Sequence, residues 1–172
     1  MRPTRILAFL LCLTCAAPAL AADMDLSVEI PRLDAAEYHR PYVAVWIEGD
    51  GHEVAAQLAV WYDLKNRKED GAKWLKDLRQ WWRRGGRGLD LPIDGVTGAT
   101  RPVGQHKLHF NAGEAPLGDL EPGTYTLVVE AAREVGGREV VRIPFDWPAK
   151  ASEHLEASGK HELGRVNLDI NP

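Results

Sequence analysis

Seven stretches of this chain alternate apolar and polar residues with a period of two. That alternation restricts the fold more than any other feature, because successive side chains of a strand point to opposite faces of a sheet. Met24, Leu26, Val28 and Ile30 fall on one face, with Asp25, Ser27 and Glu29 on the other. Tyr42 to Glu48 and Glu53 to Tyr62 flank Gly49-Asp50-Gly51-His52, a hairpin signal. Val43, Val45 and Ile47 are expected to share a face of the first strand, and Val54, Leu58 and Val60 a face of the second. His106, Leu108 and Phe110 alternate with Lys107 and His109. Gly123 opens a long strand with Tyr125, Leu127, Val129 and Ala131 on one face, and Gly136-Gly137 turns it into a partner carrying Val141, Ile143, Phe145 and Trp147. Val166, Leu168 and Ile170 close the chain, while Pro148 to Gly159 carries no firm pattern.

About seven strands joined by short turns imply a mainly β fold, an antiparallel immunoglobulin-like β-sandwich. One segment departs from it. Lys65 to Arg87 holds nine basic residues against three acidic ones. Within it Trp74, Leu75, Leu78, Trp81 and Trp82 lie on one helical stripe, with Lys73, Lys76, Arg79 and Arg83 outside it. The spacing predicts a short amphipathic helix, with Asp70 as N-cap and Gly85-Gly86 as stop. Its tryptophans are expected to pack on the sandwich. The competing reading is a docking surface, with a Trp stacking on a planar ligand and an Arg near a phosphate.

At the N-terminus Arg2 and Arg5 precede the apolar run Ile6 to Leu13, and Ala19-Leu20-Ala21 offers a cleavage site. Residues 1–21 therefore read as a secretory signal peptide, with 22–172 as a single domain in the periplasm, peripheral to the membrane at most. Both cysteines, Cys12 and Cys15, fall in that leader, so the mature chain has no disulfide, thiolate nucleophile, Cys-ligated zinc or iron–sulfur cluster. Removing Arg2 and Arg5 from 21 basic residues leaves 19 against 25 acidic ones, a net charge of −6, which disfavours nucleic acid as a partner.

The compact stretch Asp94-Gly95-Val96-Thr97-Gly98-Ala99-Thr100 carries the most specific chemistry. Gly98 and Ala99 leave room around a hydroxyl, and Asp94 and Thr97 suit a turn held by side-chain to backbone bonds. The plainer reading is a polar turn between two sheet elements. The pattern resembles D-x-x-[ST]-G-A-[TS], at which a periplasmic flavin transferase esterifies the phosphate of FMN to the last hydroxyl residue. That residue here is Thr100, and the chain continues Arg101-Pro102, placing a cation beside the phosphodiester.

No other constellation competes. His106 and His109 are expected on opposite faces of a strand, where they cannot share a metal. The mature chain's serines, Ser27, Ser152 and Ser158, lack a nucleophile-elbow context. Glu130, Arg133 and Glu134 read as a salt-bridged turn, or as a group from which Arg133 reaches Asp94 or a flavin phosphate.

Taken with Arg40-Pro41-Tyr42-Val43-Ala44-Val45-Trp46, the Trp74 to Trp82 segment, Thr97 to Pro102 and Gly123 to Glu134, the chain resembles the predicted periplasmic family called domain of unknown function 2271. From Gly104 to Arg133 it is also similar in layout to the immunoglobulin-like domain of flagellar hook-capping proteins, a likeness of fold alone. The family resemblance implies electron transfer outside the cytoplasm, beside the flavin transferase and a PepSY-type transmembrane reductase. The expectation is a flavin carrier that catalyses nothing beyond the relay, with FMN held covalently at Thr100. The alternative is a non-redox periplasmic binding or adaptor module.

Overall fold

The computed structural model describes residues 22–35, 37–64 and 71–172. The leader, including its cleavage site, and Asp70 lie outside the described residues. Among them are nine strands: β1 (Asp23–Ile30), β2 (Tyr42–Glu48), β3 (Val54–Tyr62), β4 (Thr97–Ala99), β5 (Gly104–Asn111), β6 (Gly123–Ala132), β7 (Arg138–Trp147), β8 (Glu153–Ser158) and β9 (Arg165–Asn171). They form a sandwich of two sheets, ordered β5-β1-β9-β8 and β4-β3-β2-β6-β7. All pairings are antiparallel except β3 with β4, which is parallel.

The inner faces meet as the alternation requires. Met24, Leu26, Val28 and Ile30 from β1 and Val166, Leu168 and Ile170 from β9 pack against Val43, Val45 and Ile47 from β2, with Leu127 and Val129 from β6 and Ile143 and Phe145 from β7. The other face of the five-stranded sheet is also buried, by Leu75, Leu78, Trp81 and Val96, which cover Ala44, Trp46, Val60, Tyr62 and Val128. A sheet covered on both sides needs strands apolar throughout, which is why β2 reads Tyr-Val-Ala-Val-Trp-Ile before its terminal Glu48.

Two register shifts between β2 and β3 correct the expected facing of β3. Val45 pairs with Ala59 and Trp46 with Gln57, so Leu58 is an extra residue. A bulge of this kind breaks the period of two. Leu58 therefore joins the inner core, whereas Val54 and Val60 face the helical cover.

The helical cover is also less regular than its stripe suggests. A 3-10 segment, Gly71–Asp77, precedes a six-residue helix, α1 (Arg79–Arg84). Leu75, Leu78 and Trp81 are buried as expected, but Trp74 is 41% exposed, because the 3-10 turn advances each residue by more than the 100° assumed for an α-helix. Glu130, wholly buried on β6, takes the place of an N-cap: its carboxylate accepts the backbone N–H of Trp81 at 2.7 Å and of Gln80 at 3.1 Å. Arg138 supplies its counter-charge. The Trp81 indole donates to Gln57 at 2.8 Å, and any Cβ on Gly86 would stand 2.5 Å from the Trp81 ring, so glycine is required where the helix stops.

Candidate functional site

The 94–100 stretch leads into β4, the edge strand beside β3. Its turn closes on itself: Ile93 O accepts the N–H groups of Val96 at 3.2 Å and Thr97 at 2.8 Å, and Thr97 Oγ1 accepts the Ile93 N–H at 2.8 Å. Thr97 thus shapes the turn, with Gly95 at φ +75° supplying the left-handed residue it needs. Asp94 is exposed at the turn's outer edge.

Val96 O accepts the Val60 N–H at 2.8 Å, and Thr97, Gly98 and Ala99 then run parallel to Val60, Trp61 and Tyr62. Gly98 lies over Trp61: a Cβ there would come 3.1 Å from Trp61 Cδ1. Its smallness serves the core beneath as well as the space above. Ala99 is exposed. Thr100, anchored by its N–H to Tyr62 O at 3.1 Å, is half-buried where β3 and β4 end together.

Parallel pairing matters here, because it brings the C-terminal ends of β3 and β4 to one edge of the sheet, where β2 begins and β6 finishes. Thr100 there lines a cleft of about 670 Å³ with Tyr38, Arg40, Tyr42, Trp74 and Arg133. The volume lies within the roughly 300–1,000 Å³ of ordinary small-molecule sites. The rings of Tyr38, Tyr42 and Trp74, the His39 imidazole and two guanidinium groups line it, with Asp63, Asp77 and Glu134 as acidic members. The Tyr42 hydroxyl donates to Gly71 O at 3.1 Å, and burial pushes its pKa above the ordinary value. Trp74 has Lys73 Nζ at 4.9 Å and Lys76 Nζ at 5.5 Å from its ring.

Arg101 is not among the residues lining the cleft. Its guanidinium lies 5.2 Å over Trp61, which meets His106 edge-on at 5.8 Å, and His106 Nε2 is 2.7 Å from Pro102 O. The cation is held beside Thr100 in sequence and stacked on an aromatic face. Arg133 is engaged by Glu162 through bonds of 2.8 and 3.1 Å and not by Asp94, which is not among the cleft's lining residues. Those hydrogen bonds hold its pKa above the ordinary value.

His106 and His109 stand on opposite faces of β5, the first against Trp61 and the second exposed. Pairing of β1 with β5 sets His109 opposite Asp25, and with Asp23 their ligand atoms come within 4.8 Å of one another. These groups already satisfy each other: His109 Nδ1 is 2.9 Å from Asp25, its Nε2 3.0 Å from Asn111, and Asn171 donates to Asp23 at 2.7 Å. Bonding to Asp25 raises the His109 pKa.

Sequence reasoning missed Tyr38, Arg40 and Tyr42 as cleft residues. They stand immediately before and at the start of β2, and only the strand order brings them to Thr100.

The model of the family described as "Predicted periplasmic protein (DUF2271)" matches residues 23–165. No curated protein and no solved structure matches the chain. No helix of the described residues is long and apolar enough to cross a membrane.

Proposed function

We propose, from the premise that this chain belongs to the DUF2271 family of periplasmic proteins, that it carries FMN esterified to Thr100 and relays electrons beside a PepSY-type membrane reductase. The observation that carries this reading is the position of Thr100: it ends a short edge strand at the lip of a cleft built from aromatic rings and guanidinium groups. An isoalloxazine needs a flat apolar contact and a phosphodiester needs a nearby cation. Tyr38, Tyr42 and Trp74 supply the first and Arg40 the second, with Arg101 next to Thr100 in sequence and stacked on Trp61.

Attachment requires a flavin transferase and FAD. The Thr100 oxygen attacks the FMN phosphorus of FAD, the bond to the bridging oxygen of the diphosphate breaks, AMP leaves, and the hydroxyl proton passes to a base on the transferase. One Thr–O–P bond replaces one P–O–P bond, and no oxidant or reductant is consumed. Afterwards the protein presents the flavin, tunes it by nearby charge and limits solvent access. Thr97 is the other hydroxyl of the stretch, and its Oγ1 already accepts the Ile93 N–H, which supports Thr100 over Thr97 as the acceptor.

The test is export of the protein in a host with and without the transferase, followed by denaturing electrophoresis under blue light. Flavin fluorescence that migrates with the chain only when the transferase is present is expected. A dark band beside an active transferase would favour a non-redox binding module using the same cleft.

A further inference from the structure

We propose that the outer surface of the helical cover is a docking face for an anionic phospholipid membrane. Lys76, Arg79, Arg83 and Arg138 line an open groove of about 420 Å³ with Trp82. Arg138 is paired with Glu130, and Arg83 Nε donates to Arg79 O at 3.1 Å, which fixes the direction of its guanidinium. Among the described residues no carboxylate lies within 4.0 Å of the cationic groups of Lys76, Arg79 or Arg83. Asp77, the one acid between them in sequence, lines the Thr100 cleft instead.

Charge is segregated on the scale of the whole chain. Residues 71–87 hold six basic residues (73, 76, 79, 83, 84 and 87) against one acidic one (77), a net +5, so with a net −6 for 22–172 the remainder carries −11. An anionic surface attracts this basic segment, whereas the chain as a whole is net acidic. The groove holds an indole of its own, half-buried Trp82, which meets Trp81 at 6.4 Å and shares the lining with Lys76, Arg79 and Arg83. A half-buried indole among long basic side chains seats at the headgroup level, where its apolar body and the basic stems enter and the charged ends stay wet. An acidic protein partner would use the cations but gives this ring no comparable role.

The proposal does not rest on the flavin, so it is tested on Thr100→Val protein, which carries none. Co-sedimentation is measured with vesicles of phosphatidylglycerol in phosphatidylcholine and with phosphatidylcholine alone. Binding to the first, absent from the second and falling as salt is raised, is expected. The exposed pair Arg79→Gln with Arg83→Gln should weaken it by roughly 25-fold, about fivefold per cation removed. Lys107→Gln with Lys150→Gln, equally exposed but off the helical cover, should leave it unchanged. Equal loss in both double variants, binding indifferent to lipid charge, or no vesicle binding beside retention on polyglutamate would each overturn the proposal.

Discussion

Thr97 Oγ1 lies 2.8 Å from the backbone nitrogen of Ile93, whose carbonyl in turn accepts the Thr97 N–H at the same distance. This reciprocal pair holds the turn that feeds β4. Thr97→Val keeps the side-chain volume and removes the acceptor, leaving a partly buried N–H unsatisfied. A loss of about 1–3 kcal/mol in urea unfolding is expected, together with slower flavin attachment, since the strand that carries Thr100 is less well held.

Trp81 and Trp74 separate the two roles of the tryptophan-rich segment. Trp81 is fully buried, with its ring on the five-stranded sheet and its indole bonded to Gln57. Trp81→Ala should cost about 3–5 kcal/mol, as aromatic truncations in cores do. Trp74→Ala, at an exposed site, should stay within about 0.5 kcal/mol. Equal losses in denaturant titrations would contradict the burial pattern.

Glu130 is the buried charge on which the helix start depends. Glu130→Ala removes the acceptor of two backbone N–H groups and strands the Arg138 guanidinium, and a loss of about 3–5 kcal/mol is expected. Adding Arg138→Ala should recover part of it, because the second change removes the unpaired cation. A double variant as unstable as the sum of the two single variants would argue against this coupling.

Two carboxylates give the protein an acid limb. Burial works against the charge of Glu139, but N–H groups of Lys160, Leu163, His161 and Glu162 outweigh it and hold its pKa below the ordinary 4.5. Burial likewise opposes Glu48, and the Trp46 indole, Arg142 and His52 outweigh it. A depressed folded-state pKa adds stability above the unfolded value that is lost as pH falls through the folded one. The contribution of these two carboxylates should therefore be level above about pH 5 and be lost as the medium becomes more acid. In Glu139→Gln that loss should be smaller. An unchanged slope in pH-dependent denaturation would remove Glu139 from this account.

The seven alternating stretches were legible because one face of each meets a single inner core. Leu58 was not, since a bulge is set by the partner strand and leaves no mark on β3's own sequence. Edge strand β8 turns only Leu155 and Ala157 toward the core, and its exposed Glu153, His154 and Glu156 blur the period. Strand β4, three residues long, is too short to show one. Within the candidate site, Thr100 and its neighbours could be named from the local pattern. Tyr38, Arg40 and Tyr42 could not, because strand order and the parallel β3–β4 pairing place them there, whereas Arg133, expected near a flavin phosphate, does line the cleft.

The central claim is that Thr100 is the hydroxyl through which FMN is carried. Fragment-ion mass analysis of the peptide spanning Asp94 to Arg101, from protein exported beside an active flavin transferase, tests it most directly. The account predicts one FMN phosphoester on Thr100, and none in Thr100→Val protein that still folds. FMN on Thr97, or an unmodified peptide from the wild-type chain, would contradict it.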